Sequence, residues 1–126
     1  MKKLAVIDDE IDFCMLVKIY CSRKGIECRY ARTLEEGAVL LDEFTPDLLI
    51  LDNNLPDGYG WQQVPTLLER YPQIVIHLIT AKNLPERNEV SLQNSTRVFR
   101  HFKPLSLAQL NGIINSIVPS IHNLCD

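Results

Sequence analysis

The amino-acid sequence predicts an α/β domain in which five parallel strands form a doubly wound sheet with helices on both faces. Short apolar runs alternate with stretches of helical periodicity from one end of the chain to the other. This alternation favours a parallel sheet, because parallel neighbours are joined by helical crossovers. The length of 126 residues, with 46% hydrophobic and 23% charged residues, is typical of one soluble domain.

The first two strands and helices have clear sequence boundaries. The apolar run Leu4–Ile7 ends in acidic residues and is typical of a strand buried on both faces. Gly25 is predicted to end the first helix, 26–30 is the second strand, and Thr33 begins the second helix as its N-cap. The residues that these helices are predicted to bury are Phe13, Leu16, Val17 and Tyr20 in the first and Leu34, Ala38 and Leu41 in the second.

The rest of the chain continues the alternation. Leu48–Leu51 is the most apolar run and is predicted to be the central strand. Pro65 falls inside the third helix, 61–70, so this helix either begins late, near Gln62 or Gln63, or kinks at the proline. The remaining elements are two strands, at 74–79 and 98–102, and two helices, a short polar one at 83–95 and a final one at 107–117.

Composition argues against several classes of protein. The 13 basic and 16 acidic residues give a net charge of −3, so direct binding of nucleic acid or of an anionic membrane is not expected. No apolar run approaches the roughly 18–20 residues of a membrane span, and the first run reaches Asp8 too early for a signal peptide. We therefore expect a cytoplasmic protein if the host is a bacterium. The four cysteines include no C-x-x-C pair and are predicted to be reduced, structural thiols, with Cys14 and Cys21 on one helix face.

Polar side chains follow four of the predicted strands at their carboxyl ends. Asp8 and Asp9 follow the first strand, Asp52 ends the third, Thr80 the fourth, and Lys103 comes directly after the fifth. In doubly wound sheets, ligands bind in the crevice outside these strand ends. Each residue alone could be a helix cap, a turn residue or a solvated charge, but their joint placement at one edge predicts a functional site.

The residue types at this edge favour phosphoryl chemistry. Clustered carboxylates repel one another unless a cation lies among them, and a set of oxygen ligands suits Mg²⁺ better than zinc or copper. A magnesium ion beside Lys103 and Thr80 would neutralise the oxygens of a phosphoryl group during transfer. Asp52 is the predicted nucleophile, because a carboxylate can accept a phosphoryl group to give an aspartyl-phosphate.

The sequence resembles the receiver domains of bacterial two-component response regulators, including the chemotaxis regulators. The matching segments are Ile7–Glu10, Leu51–Gly58, Thr80–Ala81 and Lys103–Pro104, and the resemblance extends from Lys3 to about Val118. It implies the flavodoxin-like receiver fold, in which the strand order is 2-1-3-4-5. On this basis we expect a receiver domain at 1–118 and a short C-terminal tail at 119–126.

The resemblance also implies roles for individual residues. A sensor histidine kinase or a phosphotransfer protein would donate a phosphoryl group to Asp52, Lys103 would pair with its oxygens, and Thr80 would hydrogen-bond one of them in the active state. The implied Mg²⁺ ligands are Asp8, Asp9, Asp52 and the backbone carbonyl of Asn54. Such a domain is a switch that regulates a downstream protein or a fused output domain. It is not a turnover enzyme, since it catalyses only its own phosphorylation and slow dephosphorylation.

Two features depart from the usual receiver pattern. Arg100 stands three residues before the lysine, where receivers usually carry an aromatic residue that relays phosphorylation to the surface. The stretch 84–95 is unusually polar, and we expect it to be more mobile than the same part of a typical receiver. The chain is either a stand-alone regulator or the receiver of a longer protein, and a homodimer through the last helix and strand is compatible with both.

Three other functions compete with the receiver interpretation. A small Mg²⁺-dependent phosphatase with an aspartate nucleophile would have a second aspartate two residues after the first, where this chain has Asn54. A flavin carrier would have a phosphate-binding loop rich in Ser, Thr and Gly after the first strand, and none is present. A phosphorylation-independent interaction module would not need the intact acidic set.

Overall fold

A computed structural model describes residues 2–81 and 96–118 of the chain. The strands in these ranges are β1 (Lys3–Ile7), β2 (Glu27–Ala31), β3 (Leu48–Asp52), β4 (Asn54–Leu55), β5 (Gly58–Tyr59), β6 (Val75–Thr80) and β7 (Val98–Phe102). The helices are α1 (Ile11–Arg23), α2 (Leu34–Phe44), α3 (Val64–Arg70) and α4 (Leu107–Asn115), with a 3-10 turn at Gly60–Gln63.

Five strands form one parallel sheet in the order β2-β1-β3-β6-β7. The predicted fold class and the order 2-1-3-4-5 are confirmed, because β6 and β7 are the fourth and fifth strands of the prediction. The two remaining strands, β4 and β5, pair as a separate hairpin that the sequence pattern does not predict. Every residue of β3 is buried, so this strand occupies the centre of the domain as expected.

Two hydrophobic cores lie on opposite faces of the sheet. On one face α1 and α4 pack against residues such as Leu4, Val6 and Ile50. On the other face α2 and α3 pack against residues such as Ile7 and Leu51. This division follows from the alternation of side chains along each strand, which sends neighbouring residues to opposite faces.

The buried faces of the first two helices differ in part from the predicted ones. In α1 the most buried residues are Cys14, Val17 and Cys21, and the predicted aromatic residues lie at the border of this face. In α2, Ala38 is exposed and Gly37 takes the buried place. A Cβ at Gly37 would lie 2.5 Å from the Ile7 side chain, so the absence of a side chain lets α2 approach the sheet.

Pro65 determines where α3 begins. The segment 60–63 forms a 3-10 turn, and the α-helix begins at Val64 with the proline in its first turn. Proline is tolerated there because the first N–H groups of a helix have no intrahelical partner. The late start is therefore the correct one of the two predicted alternatives.

The remaining predictions concern the last helix, the cysteines and the segments outside the described residues. Helix α4 buries Leu110, Ile113 and Ile114, whereas Leu107 is exposed. The three cysteines within the described residues are buried and free, as predicted. The predicted helix at 83–95 and the tail at 119–126 lie outside the described ranges. No described helix is long and apolar enough to cross a membrane.

Candidate functional site

Three carboxylates meet at the carboxyl edge of the sheet, where the sequence placed them. Strands β1 and β3 are neighbours, so Asp8 and Asp9 after β1 lie beside Asp52 at the end of β3. One carboxylate oxygen of each residue lies within 4.8 Å of those of the other two. Within residues 2–81 and 96–118 these three form the one group of acidic, histidine or cysteine side chains with the spacing of a metal site.

The first of these carboxylates, Asp8, is nearly fully buried. One of its oxygens accepts a hydrogen bond from the backbone N–H of Glu10 at 2.9 Å, which fixes its orientation. Burial and the negative charge of Asp52 raise its pKa to about 6, against the lowering effect of the Glu10 hydrogen bond. A carboxylate in this setting holds its charge at a cost that a bound cation would remove.

Asp52 is 1% exposed and is paired with Lys103. The Lys103 Nζ lies 2.8 Å from Asp52 Oδ1. Burial raises the pKa of Asp52 even though the lysine acts in the opposite direction. Burial lowers the pKa of Lys103, but its hydrogen bond to Asp52 and the nearby carboxylate charges outweigh this effect and raise it. The ion pair therefore offsets part of the cost of burying the Asp52 carboxylate, and it keeps Lys103 in its charged form.

Two buried oxygen atoms of the site have no hydrogen-bond partner among the described residues. They are Asp52 Oδ2 and Thr80 Oγ1, and Thr80 is as buried as Asp52. Buried polar atoms in proteins are nearly always satisfied, because an unsatisfied one costs about 1–3 kcal/mol. The two orphaned oxygens, together with the carboxylate cluster, fit a site that binds a cation and a phosphoryl group.

The segment after Asp52 is held by Asn53, a residue that no motif in the sequence predicts as functional. Asn53 is fully buried, and its side-chain oxygen accepts a hydrogen bond from the Trp61 backbone N–H at 2.9 Å. Its carbonyl accepts from the Gly60 N–H at 2.8 Å. A Cβ at Gly60 would lie 2.6 Å from the Asp52 carbonyl oxygen, so only glycine allows this approach. Nothing in the sequence pattern distinguished Asn53 from an ordinary turn residue.

A cavity of about 470 Å³ opens beside the carboxylates. Its polar lining includes Asp8, Glu10 and Lys103, and its apolar lining includes Phe13 and Leu105. The cavity leaves room for a ligand beside Asp8 and Lys103.

Asn54 and Arg100, the other residues singled out in the sequence, are both exposed. Asn54 is exposed and begins the short hairpin directly after Asn53. Arg100 is exposed on β7, and its guanidinium lies over the Phe102 ring at 5.3 Å from the ring centre. The structure therefore brings Asp8, Asp9, Asp52, Thr80 and Lys103 to one edge of the sheet, as predicted.

Comparison with known proteins settles the family. A family model described as the response regulator receiver domain matches residues 4–115. The chain belongs to this family. Receiver domains are phosphoacceptor signalling switches of two-component systems, and at this level of description that is the function of the chain.

Relatives of this receiver domain include longer regulators. The response regulator protein PilR of Pseudomonas aeruginosa is 36% identical over 113 residues, which cover 90% of this chain and 25% of PilR. The transcriptional regulatory protein AfsQ1 of Streptomyces coelicolor is 34% identical over 83 residues, covering 66% of this chain and 36% of AfsQ1. The chain thus spans about a quarter to a third of the length of these two relatives.

Solved structures share the fold of this receiver domain. A two-component response regulator from Clostridium difficile has a TM-score of 0.78 and 25% identity, with 95% of this chain and all of that chain covered. A CheY-like receiver domain protein from Methanospirillum hungatei has a TM-score of 0.81 and 22% identity, with 94% of each chain covered.

Proposed function

We propose that this receiver domain takes a phosphoryl group from a phosphohistidine onto Asp52, in a reaction that requires Mg²⁺. The observation that carries the proposal is the setting of the Asp52 carboxylate. It is buried, one of its oxygens contacts Lys103, the other has no described partner, and two further carboxylates lie beside it. A buried carboxylate with an unpaired oxygen has the arrangement expected of a phosphoryl acceptor.

The Mg²⁺ ligands in this proposal are Asp8, Asp9, Asp52 and the backbone carbonyl of Asn54. The all-oxygen donor set and the raised pKa of Asp8 support a hard divalent cation at this place. When bound, Mg²⁺ supplies positive charge that offsets the carboxylates and the phosphoryl oxygens.

The chain's own residues carry the transfer. An oxygen of Asp52 forms a bond to phosphorus while the bond between phosphorus and the donor imidazole nitrogen breaks, and the imidazole leaves. Lys103 shifts from Asp52 to the phosphoryl oxygens, which keeps its positive charge paired. The Thr80 hydroxyl donates a hydrogen bond to one of these oxygens and thereby gains the partner that it lacks. Slow hydrolysis of the aspartyl-phosphate by water resets the switch.

The proposed partners follow from the family and the relatives. A sensor histidine kinase or a phosphotransfer protein donates the phosphoryl group, and a downstream protein or a fused output domain responds to it. The greater length of PilR and AfsQ1 supports a fused output. We place the receiver at 1–118, with 119–126 as a tail. Exposed Phe99 and Phe102 on β7 and Leu107 on α4 support a homodimer through this face.

Incubation with acetyl phosphate and Mg²⁺, followed by intact-mass measurement, tests the acceptor. We expect one phosphoryl group per chain, lost in Asp52→Asn and when EDTA is added, but retained in Asp42→Asn. Asp42 is a matched control because it is an exposed aspartate of α2 that bonds with Arg70 and Tyr71. Labelling that persists in Asp52→Asn would contradict the proposal. Repeated turnover of phosphomonoesters would instead indicate the phosphatase.

A further inference from the structure

The turn between β2 and α2 contacts both loops that carry the proposed Mg²⁺ ligands. We call residues 32–35, which run from the end of β2 into the first turn of α2, the β2–α2 turn. On one side, Arg32 Nη2 donates a hydrogen bond to the backbone carbonyl of Asp9 at 3.1 Å. On the other side, the Asp57 carboxylate accepts from the backbone N–H of Leu34 at 2.8 Å and of Glu35 at 2.9 Å.

Asp57 accepts hydrogen bonds from backbone N–H groups at the N-terminus of α2, although it is distant from them in sequence. The first N–H groups of a helix lack intrahelical partners, and a carboxylate there is favourable for its charge as well. The side chain of Thr33, the helix's own N-cap, accepts from the Glu36 N–H at 3.0 Å. The Leu34 and Glu35 N–H groups bond to Asp57 instead, and these hydrogen bonds lower the pKa of Asp57.

Hydrogen bonds hold both ends of the segment 53–57, which follows Asp52. At one end the Asn53 N–H donates to the Ile79 carbonyl at 2.9 Å. At the other end Asp57 is bonded to the β2–α2 turn. Asn54 lies between the two attachments, so the position of its backbone depends on both.

We propose that Arg32 and Asp57 are positioning residues for Mg²⁺, which act through Asp9 and Asn54 without touching the ion. The inference rests on the proposed function, since it assumes that this site binds Mg²⁺. Groups that orient metal ligands change affinity by about 10- to 100-fold when they are removed. If the Asn54 carbonyl or the Asp9 carboxylate is displaced, the ion binds more weakly. Asp52, Thr80 and Lys103 keep their positions for the transfer itself.

Calorimetric titration with Mg²⁺ alone tests the proposal in the intact chain. In Asp57→Ala we expect the dissociation constant to rise about tenfold, in Arg32→Ala less, and in Asp57→Asn to recover in part, since an acceptor oxygen remains. The matched control is Thr33→Ala, which removes a cap from the same helix but leaves both loops attached. Its Mg²⁺ affinity should stay within about twofold of that of the unaltered chain.

Phosphorylation by acetyl phosphate separates positioning from general damage to the fold. At saturating Mg²⁺ the rate of Asp57→Ala should return to within about twofold of the unaltered rate, because only ion binding is weakened. If Asp57→Ala and Thr33→Ala bind Mg²⁺ equally well, the positioning role is wrong while the proposed function stands. If the unaltered chain does not bind Mg²⁺, both are wrong.

Discussion

Asp8 and Asp52 are carboxylates that the fold buries side by side, and the pKa of each is raised. Neither position maximises stability, because a buried charge costs free energy unless it is fully paired. Lys103 contacts only one of the four carboxylate oxygens involved. The site therefore keeps negative charge available for a ligand, which is a functional arrangement maintained at the expense of stability.

The buried His77 and the half-buried His101 form a second polar pair, on the neighbouring strands β6 and β7. The His77 Nδ1 lies 2.8 Å from the His101 Nε2, and the His77 ring stacks on Phe99 with ring centres 5.0 Å apart. Burial and, to a lesser extent, the charge of His101 lower the pKa of His77 to about 4. The folded chain thus holds this imidazole in its neutral form at neutral pH.

This pair predicts a loss of stability in mild acid. The pKa of His77 is about 4 in the folded chain and 6.5 without burial, so the unfolded chain takes up its proton first as the pH falls. The contribution of the neutral, buried His77 to stability is fully present above pH 6.5 and is lost as the pH falls from 6.5 to 4. When the pH falls from 7 to 5, the free energy of unfolding should decrease in the unaltered chain by about 2 kcal/mol more than it does in His77→Phe. Urea unfolding at the two pH values measures this, and equal losses would contradict it.

At the scale of elements, Arg97 connects the start of β7 to the end of α3. Its guanidinium donates to four backbone carbonyls at or just after the C-terminus of α3, those of Leu68, Tyr71, Pro72 and Ile74, at 2.8–3.2 Å. The last carbonyls of a helix have no intrahelical donors and carry partial negative charge. A guanidinium there donates hydrogen bonds to these carbonyls and places a positive charge beside them.

Replacement of Arg97 by lysine should therefore destabilise the domain although the charge is kept. One ammonium group cannot reach four carbonyls in the way that a planar guanidinium does. We expect the free energy of unfolding to fall by about 1–3 kcal/mol, as measured by urea denaturation. Arg23→Lys, at the exposed end of α1, is the control and should change it by less than about 0.5 kcal/mol. Equal effects of the two substitutions would show that the carbonyl contacts do not matter.

The sequence predicted the elements whose side chains repeat with a clear period, and it missed those that depend on contacts distant in sequence. The five strands and the order of the main sheet followed from apolar runs and from family resemblance. The hairpin of β4 and β5 was missed because strands of two residues show no periodicity. Ala38 was misplaced because the close packing of Gly37 on Ile7 appears only when α2 and β1 are assembled.

The sequence predicted the residues of the candidate site, but it did not predict the residues that support them. Asp8, Asp52, Thr80 and Lys103 could be found because strand ends in a parallel sheet share one edge. Asn53 and Asp57 could not, because their partners lie elsewhere in the chain. The Asp57 hydrogen bonds, for example, join residues 22 and 23 positions apart.

At the scale of the whole molecule, ligand binding should stabilise the domain. A ligand that binds only the folded chain adds about 2.7 kcal/mol at a concentration 100 times its dissociation constant. Mg²⁺ with beryllofluoride, which mimics a phosphoryl group, should therefore raise the melting temperature of the unaltered chain by several degrees, and EDTA should reverse the rise. Asp52→Asn should show no response to beryllofluoride. Differential scanning calorimetry measures both, and an equal rise in the variant would contradict acceptance at Asp52.

The groups of the site come from four strands, with Asp8 after β1, Asp52 on β3, Thr80 on β6 and Lys103 after β7. These groups are spread along the chain from Asp8 to Lys103, so a short fragment does not hold the complete set. A chain that is partly folded, or cut between Asp8 and Lys103, would lack part of the proposed acceptor site. Phosphorylation by the proposed route would thus require that β1, β3, β6 and β7 are all assembled.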